Sequence, residues 1–339
     1  MTNVQQPLRW AVVGTGGVSE YFVSDLNTVE GSVPVAIVSR DAARGREFAD
    51  RYSVASSYEF SDALSDESVD VIYIATPMAT HYTMAAAALK AGKHVVVEKP
   101  IAMNADEARE LFSIARKEDR FLTEAMWMMF NPIFHAVLAA VNAGGIGHLR
   151  SIRASFGLPF PKDDGSRRDA VFGGSALLDQ GIYAVSLVRA LMGDPERVHV
   201  SGDAQGGVDL THWITLEFSD GRFAQIAGSM QEYTDPSASI NGTGGWISVD
   251  QPFWAAAGFT VRSGDIASAF TQPVRTERPA DGFGYSPMIR AIGDAINAGD
   301  RYCKEHSPDD TVAVIELLER MRAKILNQAS RSRAAVGRD

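Results

Sequence analysis

Residues 8–19, Leu-Arg-Trp-Ala-Val-Val-Gly-Thr-Gly-Gly-Val-Ser, constrain the fold of this chain more than any other stretch. Trp10 to Val13 is an apolar run of strand length, Gly14 and Gly16 follow at once, and helical spacing opens behind them. A strand that turns tightly into a helix leaves the first N–H groups of that helix unpaired, at the positive end of its dipole. Such a turn favours a phosphate. Gly14 permits the turn and Gly16 permits close backbone approach to a pyrophosphate; the third position of the G-x-G-x-x-G/A pattern is Ser19, small but neither Gly nor Ala, so a slightly looser helix–strand contact is expected. Gly14, Thr15, Gly16, Gly17 and Val18 are therefore candidate dinucleotide contacts; an ordinary strand-to-helix turn is the alternative.

Strand and helix patterns then alternate to about residue 125, which predicts a parallel, doubly wound sheet. In such a sheet ligands bind beyond the carboxyl ends of the strands. The second strand ends in Ser39-Arg40-Asp41. An acid at that tip bonds the ribose hydroxyls of NAD, whereas a guanidinium pairs with a 2′-phosphate, so Ser39 and Arg40 favour NADP. Asp41 stays open as a helix cap or as a ribose ligand, the latter keeping NAD possible. The next tips carry Thr76, Pro77 and His81, then Glu98-Lys99-Pro100. Four polar or charged candidates, Thr76, His81, Glu98 and Lys99, are assigned to the cofactor edge together with Pro77 and Trp127. For His81 a helix-start role without chemistry is the competing assignment. Asn104, with Glu107 three residues later, reads as a helix cap.

A helix over 131–144 marks the border, and the rhythm then changes to strands broken by turns such as Ser219-Asp220-Gly221. This predicts an open, mainly antiparallel sheet, with domains at 1–125 and 126–339. One long helix interrupts it, from Gly173 to Met192. Asp179 and Tyr183 are spaced i, i+4 among apolar neighbours. They read either as a packing hydrogen bond or as a proton donor and acceptor beside a reacting carbon. Arg167 and Arg168 precede that helix, as guards of a substrate, as partners of an acidic substituent, or as solvated loop residues. Trp127, Phe130, Phe160 and Tyr233 are candidate walls of a sugar pocket, with aromatic core as the default.

Net charge is −10, so nucleic-acid binding is disfavoured. Cys303 is the single cysteine, which excludes an intrachain disulfide and suggests a reducing, cytoplasmic setting. No signal peptide or membrane-spanning run is expected. No His-Glu-x-x-His or paired-cysteine spacing supports a metal site.

The glycine turn, Glu98-Lys99-Pro100, Glu124-Ala-Met-Trp127 and Gly173-Gly-Ser-Ala-Leu-Leu-Asp-Gln-Gly-Ile-Tyr183 together resemble the glucose–fructose oxidoreductase / inositol dehydrogenase / MocA family. Many members carry His where this chain has Tyr183; the Tyr is similar to the branch of dimeric dihydrodiol dehydrogenase and NADP-dependent D-xylose 1-dehydrogenase. The resemblance implies a Rossmann domain and a sheet domain that mediates a homodimer or homotetramer. It implies sugar or cyclic-diol redox chemistry, with Lys99 and Tyr183 as catalytic pair and Asp179 at the substrate. Alternatives are an NAD-dependent inositol or amino-sugar dehydrogenase and a non-catalytic regulator that binds NADP and a sugar. Met129 replaces the branch's usual Arg, and Met78 the family's frequent Asn.

Overall fold

The computed structural model describes residues 6–161 and 165–336. They divide into two compact units: residues up to Phe130 with Ala280–Ala313, and Asn131–Pro279 with the chain from Val314. This differs from the single border expected at 125, because a later segment returns to the first unit.

In the first unit six strands, β1 (Leu8–Val13), β2 (Ser32–Val38), β3 (Ser56–Tyr58), β4 (Val71–Ile74), β5 (His94–Glu98) and β6 (Leu122–Ala125), form one sheet. All pairings are parallel, in the order β3-β2-β1-β4-β5-β6. The order reverses between β1 and β4, and this switch point is where doubly wound sheets bind dinucleotides. Helices α1 (Gly17–Leu26), α2 (Ala42–Arg51), α3 (Phe60–Ser65), α4 (His81–Lys90) and α5 (Ala105–Lys117) connect the strands. Strand β4 is buried throughout, as a strand covered on both faces must be. Helix α5 starts where the sequence places it: the Asn104 side chain accepts the Glu107 N–H at 2.8 Å, and the Glu107 carboxylate accepts the Met103 N–H at 3.2 Å.

The second unit opens with α6 (Pro132–Asn142), then β7 (Leu149–Gly157), α7 (Ile182–Met192) and β8 (Arg197–Ser201). A small hairpin, β9 (Ala204–Gln205) and β10 (Val208–Asp209), precedes β11 (Thr211–Glu217), β12 (Phe223–Ser229), β13 (Ala238–Gly242), β14 (Gly245–Val249) and β15 (Gly258–Ser263). Helix α8 (Ile266–Thr271) and β16 (Val274–Glu277) complete it. Eight of these strands form a sheet in the order β16-β15-β14-β13-β7-β12-β11-β8. Only β7–β12 is parallel, so the sheet is mixed and mainly antiparallel. Along β11, His212, Ile214 and Leu216 are buried while Trp213 is 54% exposed, which is the alternation of a sheet with one covered face. The chain returns to the first unit with α9 (Ser286–Ala298) and ends in α10 (Pro308–Val336).

The expected long helix is shorter than predicted and irregular. Leu177–Gly181 forms a π turn, and regular α geometry begins only at Ile182. The apolar stretch 170–192 is part of the core. Its length and an 18-residue mean hydropathy of 1.3 match a membrane span, yet 83% of that window is buried inside the protein, as for a core helix.

His212 is fully buried against the glycines that give it room. A Cβ on Gly181 would lie 3.0 Å from its Nε2, and one on Gly228 2.4 Å. Burial lowers its pKa to about 4, against the attraction of Asp209. A histidine depressed in the folded state makes stability rise with pH between about 4 and 6.5, where the unfolded chain holds more protons. That stability is complete above 6.5 and is lost as pH falls. His212→Leu should reduce the loss of unfolding free energy between about pH 7 and about pH 5 by ~1–2 kcal/mol, measured by urea titration.

Candidate functional site

In the first unit the candidate residues gather at the carboxyl ends of β1, β2, β4 and β5. After β1, Gly14 has φ +111°, and a Cβ there would stand 2.3 Å from the Ala75 carbonyl oxygen. The close approach of the β1 and β4 ends therefore requires glycine. At Gly16 and Gly17 no atom lies within 4 Å of the Cβ position, so the backbone surface is open where a pyrophosphate would rest. Ser19 is fully buried behind this turn, its side-chain oxygen 3.5 Å from the Gly14 Cβ position.

At the β2 tip Asp41 is the cap of α2: its Oδ1 accepts the N–H groups of Ala43 at 2.9 Å and Arg44 at 3.1 Å. The carboxylate is thus engaged, and exposed Arg40 stands next to it. The structure adds a residue that sequence reading missed. Arg44 donates from Nη2 to the Thr15 carbonyl at 2.8 Å, bringing a second guanidinium to the glycine turn. Its signal was present in the sequence as an arginine in the first turn of the helix behind Arg40.

Two of the residues expected at the cofactor edge have buried side chains held by protein partners. His81 is buried, with Nδ1 2.8 Å from the Pro100 carbonyl and Nε2 2.9 Å from the Thr76 carbonyl. Burial holds the ring below the ordinary imidazole range. The side chain ties the β4 tip to the turn after Lys99, and its nitrogens are directed at those carbonyls. Glu98 is buried as well: Oε1 accepts the Tyr73 hydroxyl at 2.6 Å and the Tyr285 hydroxyl at 3.4 Å, and Oε2 accepts the Lys99 N–H at 3.2 Å. Burial raises its pKa, opposed by the Lys99 charge and the Tyr73 hydroxyl. Both orientations have one cause: a polar group without water takes the nearest backbone or hydroxyl partner.

The half-buried Lys99 is followed by a cis peptide to Pro100. The next N–H, of Ile101, donates to the fully buried Glu124 at 2.8 Å, and the other Glu124 oxygen lies 2.7 Å from His306 Nε2. Thr76 and Pro77 lie at the β4 tip, where the Thr80 hydroxyl contacts the Thr76 hydroxyl at 2.7 Å and donates to the Pro77 carbonyl at 2.8 Å. Trp127 is 9% exposed and stacks on Tyr285, with centroids 5.4 Å apart, so that face of the indole is covered. Met78 is half-buried in a short turn, Met129 is buried, and Phe130 is core.

In the second unit the π turn carries Asp179, and Tyr183 lies one residue past the start of α7. The Asp209 carboxylate, fully buried, fixes this helix start. Its Oδ2 accepts the Leu177 N–H at 2.8 Å and its Oδ1 the Arg322 Nε at 3.0 Å. The Ser175 hydroxyl accepts the Leu178 N–H at 3.0 Å. Tyr183 is 5% exposed and belongs to an aromatic cluster with Phe156 and Trp254, which stack on each other at 3.6 Å. Trp254 was not singled out by sequence, because it sits in a short irregular turn without periodic neighbours. Tyr233, expected as a pocket wall, is 79% exposed. Arg167 pairs with Asp179, and Arg168 donates to the Met230 carbonyl. No group of three or more metal-ligating side chains occurs among the described residues.

Comparison with known proteins agrees with this fold. Residues 8–126 match an oxidoreductase family with an NAD-binding Rossmann fold, and residues 134–248 match the GFO/IDH/MocA C-terminal domain. Human trans-1,2-dihydrobenzene-1,2-diol dehydrogenase is 30% identical over 328 residues, covering 94% of this chain and 97% of that protein. The same enzyme of Xenopus laevis is 32% identical over 279 residues, covering 79% and 82%. Among solved structures, a 3-ketoreductase from Actinomadura kijaniata in complex with NADP superposes with a TM-score of 0.82 at 26% identity, covering 94% of this chain and 98% of that one. The chain belongs to the GFO/IDH/MocA oxidoreductase family.

Proposed function

We propose that this protein is an NADP-dependent oxidoreductase that moves hydride between nicotinamide and a CH–OH carbon of a sugar, sugar derivative or cyclic diol. The observation that carries the reading is the open glycine turn at the β1/β4 switch point, flanked by Arg40 and by Arg44 on the Thr15 carbonyl. Two guanidinium groups and a capped Asp41 suit a 2′-phosphate, and the similar ketoreductase is solved with NADP. The human relative acts, by its name, on a trans-1,2-diol.

NADP supplies the hydride acceptor for oxidation. Tyr183 is the base that takes the substrate hydroxyl proton, and in reduction it returns that proton to the alkoxide. An ordinary phenol titrates near 10, so a positive charge is needed for it to act as base near neutrality. Lys99 is that charge, and its ammonium stabilises the developing alkoxide. Asp179 holds a second substrate hydroxyl. Glu98, His81 and Glu124 act one step back, fixing the backbone on either side of Lys99.

We also assign the exposed face of the large sheet to a homodimer. It forms a groove of about 690 Å³ lined by Arg153, Ser155, His199, Trp213 and Gln225 among others. Trp213 at 54% exposure and Phe223 at 39% are large apolar groups on a surface that a second copy would cover. The buried, lone Cys303 fits a cytoplasmic protein.

Lys99→Met and Tyr183→Phe should each lower kcat by about 100-fold or more, with NADPH affinity within about threefold, in a 340 nm screen of sugars and diols. Arg40→Ala and Arg44→Ala should each raise KM for NADP by about tenfold while leaving KM for NAD nearly unchanged. Trp213→Glu should shift the protein from dimer to monomer in light scattering; a monomeric parent protein would remove the dimer assignment.

A further inference from the structure

Asp179 does not stand alone in its π turn. Arg167 donates from Nε to its Oδ2 at 3.2 Å, with side chains 39% and 18% exposed. The guanidinium also lies over the Phe160 ring, 4.6 Å from its centroid. A planar cation that is stacked on one face and hydrogen-bonded along its edge has a fixed orientation. Its platform is fixed too, since the Phe160 N–H donates to the Met230 carbonyl at 3.2 Å and Arg168 donates to that same carbonyl. Both arginines ahead of the helix are thus engaged by acceptors of the protein itself, and neither requires an acidic substituent on a substrate.

We propose that Arg167 is a specificity-determining residue, which turns Asp179 into half of a neutral donor–acceptor pair, so that the site takes uncharged vicinal diols and polyols and rejects substrates carrying an ammonium in place of the second hydroxyl. This rests on the oxidoreductase reading above, in which Asp179 holds that hydroxyl. A partly buried carboxylate without a partner prefers a cation, because charge-assisted hydrogen bonds in a partly desolvated site exceed neutral ones. Arg167 removes that preference by compensating the charge. A hydroxyl both donates and accepts, so adjacent hydroxyls can donate to Asp179 and accept from Arg167. An ammonium group has donors only, and it meets a like charge at Arg167. Rejection thus comes from a repulsive element beside the attractive one.

The test is calorimetric binding, with NADP present, of trans-cyclohexane-1,2-diol and of trans-2-aminocyclohexanol at a pH where the amine is charged, together with kcat/KM for both. The parent protein should bind the diol more tightly. Arg167→Met, which keeps length and loses charge, should shift the affinity ratio toward the amino alcohol by about tenfold or more. Arg167→Lys, which keeps the charge, should retain most of the discrimination, and NADP binding by both variants checks their folding. A ratio unmoved in Arg167→Met, or a parent protein without preference for the diol, overturns the proposal. Preference for the diol without any NADP-linked turnover of diols or sugars counts against the oxidoreductase reading, while the binding ratio still decides the role of Arg167.

Discussion

The candidate residues of the second unit depend on one buried carboxylate. Asp209 has no exposed surface, accepts the N–H that begins the π turn, and pairs with Arg322 from the last helix. Arg322 reaches on to the carbonyls of Gly174 and Gly207. An unpaired carboxylate in that position would cost several kcal/mol, so the ion pair and the helix cap are one device: each partner is tolerated only because the other is there. The register of Asp179 and Tyr183 follows from it, since the N-terminal groups of a helix have no other internal partner.

The first unit repeats this solution with different chemistry. Asp25, on α1, is buried and accepts the N–H groups of Phe283, Tyr285 and Ser286 at 2.8, 2.8 and 3.1 Å. That contact seats Tyr285 against Phe22 and Trp127 and directs its hydroxyl toward Glu98. Glu124 accepts the Ile101 N–H and contacts His306, as described above. In each case a carboxylate joins segments that are remote in sequence, and in each case at least one of its partners is a backbone N–H group. Such bonds fix position without the flexibility of a long side chain.

This also explains what could and could not be read from the sequence. The glycine turn, the buried strands and the strand tips were legible because they rest on local rules: period, glycine, and a helix start. The change to strands broken by turns in the second half was legible for the same reason. Strands β15 and β16 are only partly buried, so their apolar pattern is weak. The π turn was read as regular helix because its cause, Asp209 on a distant hairpin, leaves no local mark. Glu98 and His81 look like ligands in sequence, being polar groups at strand tips. Only the surroundings show that each is turned toward protein acceptors or donors. Arg44 was overlooked for the opposite reason, because an arginine in an exposed first helical turn is common.

The return of residues 280–313 to the first unit bears on how the chain can be made. During synthesis the six-stranded sheet is complete in sequence once Ala125 has emerged, yet Asp25 then lacks its three N–H donors and Trp127 lacks the ring that covers it. The whole of the second unit's sheet must leave the ribosome before Tyr285 arrives. The 149 residues of Asn131–Pro279 therefore separate the strands of the first unit from the segment that supplies those N–H groups and that ring. A fragment cut near residue 130 would carry the same unfinished surface permanently.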